Sequence, residues 1–87
     1  MPYVAKDQRE NVDNYIEIIA IWATGAGPGL PNYIITKLLR SIYDLPESQN
    51  YAKYNEIVGI LECCKLEFYR SLIGPYEQTK LEENGDV

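Results

Sequence analysis

At 87 residues the chain has room for a single domain with a thin core, since a fold of this size buries only about 60% of the surface its unfolded chain exposes. It contains no histidine, and its only two cysteines, Cys63 and Cys64, are sequence neighbours. That removes the commonest proton carrier and metal ligand, as well as any disulfide between distant segments. Thirteen acidic against eight basic residues leave a formal charge of −5, which disfavours general nucleic-acid binding, where phosphate neutralisation supplies most of the affinity.

Small domains compensate for thin cores with disulfides, metals or self-association, and the residues present favour the third. No cofactor is called for by any motif, and a homo-oligomer is expected. Met1 to Arg9 has no apolar signal-peptide core, and no apolar run approaches the roughly 20 residues that span a bilayer. These features predict a soluble, unexported protein.

Asp7 followed by Glu10 has capping-box spacing, so helix 1 is predicted from about Asp7 to Thr24. Val12, Tyr15, Ile16, Ile19, Trp22 and Ala23 recur at helical intervals along one face. Glu10, Asp13 and Glu17 give the first half an acidic side, whereas the run Ile18 to Ala23 is apolar all round. Such a helix end needs cover on more than one side, either from the same chain or from a second subunit.

Gly25 to Gly29 predicts a flexible connection, and Pro31 suits the first turn of helix 2. Ile34, Ile35, Leu38, Leu39 and Ile42 make its buried face, and Pro46 lies beyond its end. Ser48 or Asn50 is expected to cap helix 3, which Gly74 and Pro75 are expected to terminate. Tyr54, Ile57, Val58, Leu61, Cys64, Phe68 and Leu72 form its main seam, with Leu66, Tyr69 and Ile73 as a second strip. A short helix 4 runs from Pro75 to about Glu83, with Asn84 and Gly85 as its C-cap. The predicted fold is all-α, a small helical bundle of three main helices and a short C-terminal helix in one domain spanning residues 1–87.

Helix 2 is the exception to the acidic balance: it carries Lys37 and Arg40 and no acid before Asp44. Tyr33, Lys37 and Arg40 fall on one stripe opposite the apolar face, with Thr36 and Tyr43 beside it. An aromatic ring interleaved with two cations and a hydroxyl suits a nucleotide-like anion, through stacking and charge-assisted hydrogen bonds. The competing reading is that the two cations face the acidic side of helix 1 or of a neighbouring subunit. The glycine turn is no P-loop, because no lysine and serine or threonine pair follows it.

Of the eight tyrosines, Tyr15 and Tyr54 lie on predicted core seams, leaving Tyr33, Tyr69 and Tyr76 as candidates for contact with a ligand. Glu67 and Arg70, three apart, are expected to form a helix-surface ion pair. Acid and base chemistry by Glu62 or Glu67 would need a pocket that separates their pKa values. Cys64 reads as core and Cys63 as a partly exposed thiol.

Asn-Tyr-Ile-Ile-Thr-Lys-Leu-Leu from Asn32, Gly-Ile-Leu-Glu from Gly59, Lys-Leu-Glu-Phe-Tyr-Arg from Lys65, Pro-Tyr-Glu-Gln-Thr-Lys from Pro75 and the closing Glu-Asn-Gly-Asp-Val together resemble a small uncharacterised family. Its members occur in tailed bacteriophages and bacterial genomes, and the resemblance covers roughly Asn32 to Val87. It carries no established activity and transfers no catalytic residue. It implies a phage origin and a bacterial cytoplasmic setting, and by analogy a role in host takeover. The expectation that follows is a non-catalytic accessory protein that sequesters a nucleotide-type defence signal in an oligomer. Its ligand residues would be Asn32, Tyr33, Thr36, Lys37, Arg40, Tyr69, Arg70 and Tyr76. The alternative is an acidic interaction module in which helix 1 and the C-terminal segment, with Glu77, Glu82, Glu83 and Asp86, dock on a basic host protein or mimic nucleic acid, and a third reading is an enzyme using Glu62 or Glu67.

Overall fold

In the computed structural model, which describes residues 4–85, every regular element is helical. Helix α1 spans Lys6–Ala23, α2 Gly29–Ile42, α3 Tyr51–Phe68 and α4 Gly74–Asn84. A 3₁₀ turn at Pro46–Ser48 precedes α3, and a π turn at Tyr69–Ile73 joins α3 to α4. The fold class is therefore all-α. By its internal contacts the chain divides into two units, Met1–Ile42 and Tyr43–Val87.

In the first unit, α1 starts one residue before the predicted capping box. Ala5, extended at φ −63° and ψ 150°, is the N-cap residue and supplies no side-chain hydrogen bond. Asp7 therefore does not cap; it sits in the first turn, where a carboxylate still favours the positive end of the helix dipole. Thr24 closes the helix, its N–H and hydroxyl both donating to the Ala20 carbonyl at 2.9 and 2.7 Å. The connection then needs the left-handed backbone at Gly25 and Gly27, with φ of 79° and 77°. Gly29 belongs to α2, not to the linker.

In the second unit, Asn50 and not Ser48 is the N-cap of α3, accepting the Lys53 N–H at 3.0 Å while its amide donates to the Glu47 carbonyl. The expected stop at Gly74 and Pro75 does not occur. Pro75 has no N–H, and its ring needs space where a regular helix places the carbonyl four residues back. The π turn provides that space: the Gly74 N–H donates to the Tyr69 carbonyl, five residues back, and the helix runs on to Asn84. Gly85, at φ 81°, then ends it with its N–H on the Leu81 carbonyl at 2.8 Å.

The two glycines within this long helix differ. A Cβ at Gly74 would stand 3.0 Å from the Tyr69 carbonyl oxygen, whereas a Cβ at Gly59 would meet nothing within 4 Å. Gly59→Ala is therefore expected to stabilise the protein by roughly 0.5–1 kcal/mol, the usual gain from removing a mid-helix glycine. Gly74→Ala should forfeit that gain. Thermal unfolding followed by circular dichroism compares the two, and a loss of stability in Gly59→Ala would place a neighbouring helix against that position.

Among the described residues no apolar side chain is buried, and Ser48 is the single buried residue. The assignment of Tyr15, Tyr54 and Cys64 to a core is corrected accordingly: Tyr15 is 68% exposed, Tyr54 is 48% exposed and Cys64 is exposed. Cys63 is exposed as well. The periodic faces exist as read, yet neither unit by itself closes them over. Units of this length are near the lower limit at which a chain buries a core without help.

The entry to α3 is held by a polar clasp. Tyr43 donates its hydroxyl proton to Glu56, which also faces Lys53 at 3.7 Å. The Tyr43 hydrogen bond, followed by the Lys53 charge, holds the Glu56 carboxyl below its ordinary value of 4.5, and the same bond raises the Tyr43 hydroxyl above 10.0. A depressed carboxyl contributes stability above its unfolded value and loses it as pH falls through the folded one. A raised phenol contributes below its unfolded value and loses it as pH rises through the folded one. The clasp is thus intact across the neutral range. Acidification from about pH 6 to pH 3 should lower the melting temperature of the wild type more than that of Tyr43→Phe.

Candidate functional site

The candidate residues lie in two groups, one in each unit. Asn32, Tyr33, Thr36, Lys37 and Arg40 project from α2, whose first helical bond runs from the Asn32 N–H to the Pro28 carbonyl at 3.1 Å. All five are exposed, Tyr33 to 62%. Thr36 leans back along the helix, its hydroxyl 3.5 Å from the Asn32 side-chain oxygen.

Charge distinguishes this stripe from the second unit. Lys53, Lys65, Arg70 and Lys80 each pair with a glutamate three residues away, Glu56, Glu62, Glu67 and Glu83 respectively. Among the described residues of the first unit, no carboxylate lies within 4.0 Å of Lys37 or Arg40. Local sequence explains the difference: positions three and four away from Lys37 hold Tyr33, Ile34, Arg40 and Ser41, none of them acidic. Asp44, four residues beyond Arg40, lies past the end of the helix. Neighbouring Tyr43 is committed to Glu56 and adds nothing to the stripe.

Tyr69, Arg70 and Tyr76 form the second group. Arg70 bonds to Glu67, the expected surface pair, and the guanidinium holds the Glu67 carboxyl below the usual range, with the Ser71 hydroxyl at 3.3 Å assisting. A general acid needs the opposite shift, so Glu67 is poised to stay ionised. Glu62 lies 2.9 Å from Lys65, whose ammonium it holds above its ordinary range.

Tyr76 lies under the Lys80 ammonium, 5.6 Å from the ring centre. Seven residues apart, Tyr69 and Tyr76 would share a face on a regular helix. The intervening π turn carries one residue more than an α turn, offsetting the two by about 100°. This separation has no signal in apolar periodicity; Gly74 followed by Pro75 within a helical pattern was the only hint of it.

Among the described residues no group of three or more acidic or cysteine side chains could hold a metal ion, and no helix is long and apolar enough to cross a membrane. A shallow concavity of about 280 Å³ lies at the start of α1, lined by Lys6, Arg9, Glu10 and Asp13, and it includes none of the eight candidate ligand residues. Asp86, which adds to the C-terminal acids in the sequence, lies outside the described residues, as do Met1 to Tyr3.

A family model described as a domain of unknown function, DUF6899, matches residues 1–87. The chain belongs to the DUF6899 family. The match takes in α1 and the glycine turn, which the residue motifs from Asn32 onward had left out, so both candidate groups and the apolar end of α1 lie within the DUF6899 domain. No curated protein and no solved structure matches the chain.

Proposed function

We propose that this DUF6899 protein is a non-catalytic binding protein that works as a homo-oligomer and takes up a nucleotide-type anion on the α2 stripe. The observation that carries the reading is the pair of exposed, unneutralised cations Lys37 and Arg40 beside the exposed ring of Tyr33. Two donors for phosphate oxygens and a stacking surface are what such a ligand requires. Self-association is supported by apolar faces that neither unit buries. In a phage-infected bacterium, a protein of this kind would withdraw a nucleotide-type defence signal without turning it over; this setting rests on the family's resemblance to phage proteins and on analogy.

The test is native mass spectrometry of the intact protein, followed by calorimetric titration with AMP and a cyclic dinucleotide, with adenosine as the uncharged control. Binding of either phosphate-bearing probe and not of adenosine supports the reading. Failure of both to bind an intact oligomer removes the ligand and leaves the assembly.

A second reading is favoured by the acidic side of α1, where Glu10, Asp13 and Glu17 stand exposed beside an exposed apolar segment. That combination fits docking on a basic host protein, steered by charge and held by apolar contact. Such a complex should weaken steeply with salt. Capture of a host protein that survives charge reversal at all three acids would count against it.

A further inference from the structure

We infer that the second half of α1 pairs with the same segment of a second copy, antiparallel, about a two-fold axis at Ile19. The inference rests on the self-association in the reading above and adds the face and its orientation. Ile16, Ile18, Ile19, Ile21 and Trp22 are all exposed, Trp22 to 79% and Ile19 to 40%. Of these, Ile16, Ile19 and Trp22 share the Ile19 face, and with Val12 and Tyr15 they present accessible surface on the order of 700 Å² per chain, close to what one side of a standard interface buries. A patch centred on one helix and meeting itself across a two-fold axis is self-complementary and closes at a dimer.

Charge selects the orientation. Asp7, Glu10, Asp13 and Glu17 follow one another along α1, while Lys6 and Arg9 are its only basic residues. Parallel pairing would lay each acid beside its own counterpart. Antiparallel pairing at Ile19 sets Asp13 about 18 Å from its counterpart along the axis, beyond the roughly 8 Å over which salt leaves charges coupled. Glu17 is two residues from Ile19, about 200° round the helix, and so lies on the far side from the seam. The same arrangement opposes Tyr15 to Ala23, a large side chain to a small one, and runs the two helix dipoles in opposite directions.

Single cysteines placed in the full chain with Cys63 and Cys64 replaced by serine test the pairing through oxidative cross-linking. Ile19→Cys should link to itself at least tenfold faster than Val12→Cys, because only the residue at the axis meets its own copy. Tyr15→Cys mixed with Ala23→Cys should link between the two variants and not within either, which tests the register without altering Ile19. Equal self-linking at Val12 and Ile19 would show a parallel pair and overturn the orientation. An oligomer by native mass that links at none of these positions would place the interface on another face, leaving self-association standing. A single-chain native mass without links would show that α1 is covered within its own chain, and would remove the proposal and the oligomer together.

Discussion

An aspartate in place of Ile19 is expected to dissociate the assembly and lower its melting temperature by more than about 10 °C at fixed concentration. On a lone exposed helix such a change would cost within about 0.5 kcal/mol, since nothing packs there to be lost. At the centre of a self-paired seam, two carboxylates, one from each copy, are instead placed in a dry contact without partners. Several kcal/mol is the usual penalty for an unpaired buried charge. Native mass and thermal unfolding of Ile19→Asp against Glu17→Ala, a change on the far side of the same helix, separate the two cases. Equal and small effects would mean that α1 is not covered by a second copy.

Charge reversal of both α2 cations, Lys37→Glu with Arg40→Glu, should weaken binding of a phosphate-bearing nucleotide by at least about 100-fold, because each charge-assisted hydrogen bond contributes roughly 1.5–3 kcal/mol. The melting temperature should scarcely change, as neither side chain is buried or paired among the described residues. Arg70→Ala should have less than about a tenfold effect, because the Arg70 guanidinium is already engaged by Glu67. Titration of the three variants with the probe that binds the wild type reads the order directly. A loss at Arg70 as large as that on α2 would move the ligand towards the second unit.

Helix positions were legible where local chemistry acts alone. Asn50 has both the acceptor and the spacing to cap Lys53, and Gly85 can take the left-handed turn that ends α4. The stripe of Tyr33, Lys37 and Arg40 follows from spacing on a helix of known pitch. Capping at Asp7 failed because two competing starts differ by little energy when an acid is welcome anywhere in the first turn. The stop at Gly74 and Pro75 failed for a different reason: a missing N–H can end a helix or widen it by a residue, and sequence does not distinguish the two.

The eight cationic residues of the sequence also read alike until their neighbours are placed. Those of the second unit find glutamates three residues away on the same helix, and the pairing of Arg70 with Glu67 was legible from that spacing alone. The same rule leaves Lys37 without a glutamate on α2, because the positions three and four away from it hold no acid.

By itself the sequence determined an all-α chain, its helix-forming segments, the apolar and charged faces along them, and the want of histidine, because these depend on residues within a few positions of one another. Tertiary structure alone decided that neither unit buries its apolar faces and that one helix runs through a π turn from Tyr51 to Asn84. The physical reason is that periodicity states which side chains share a face, whereas burial depends on what meets that face.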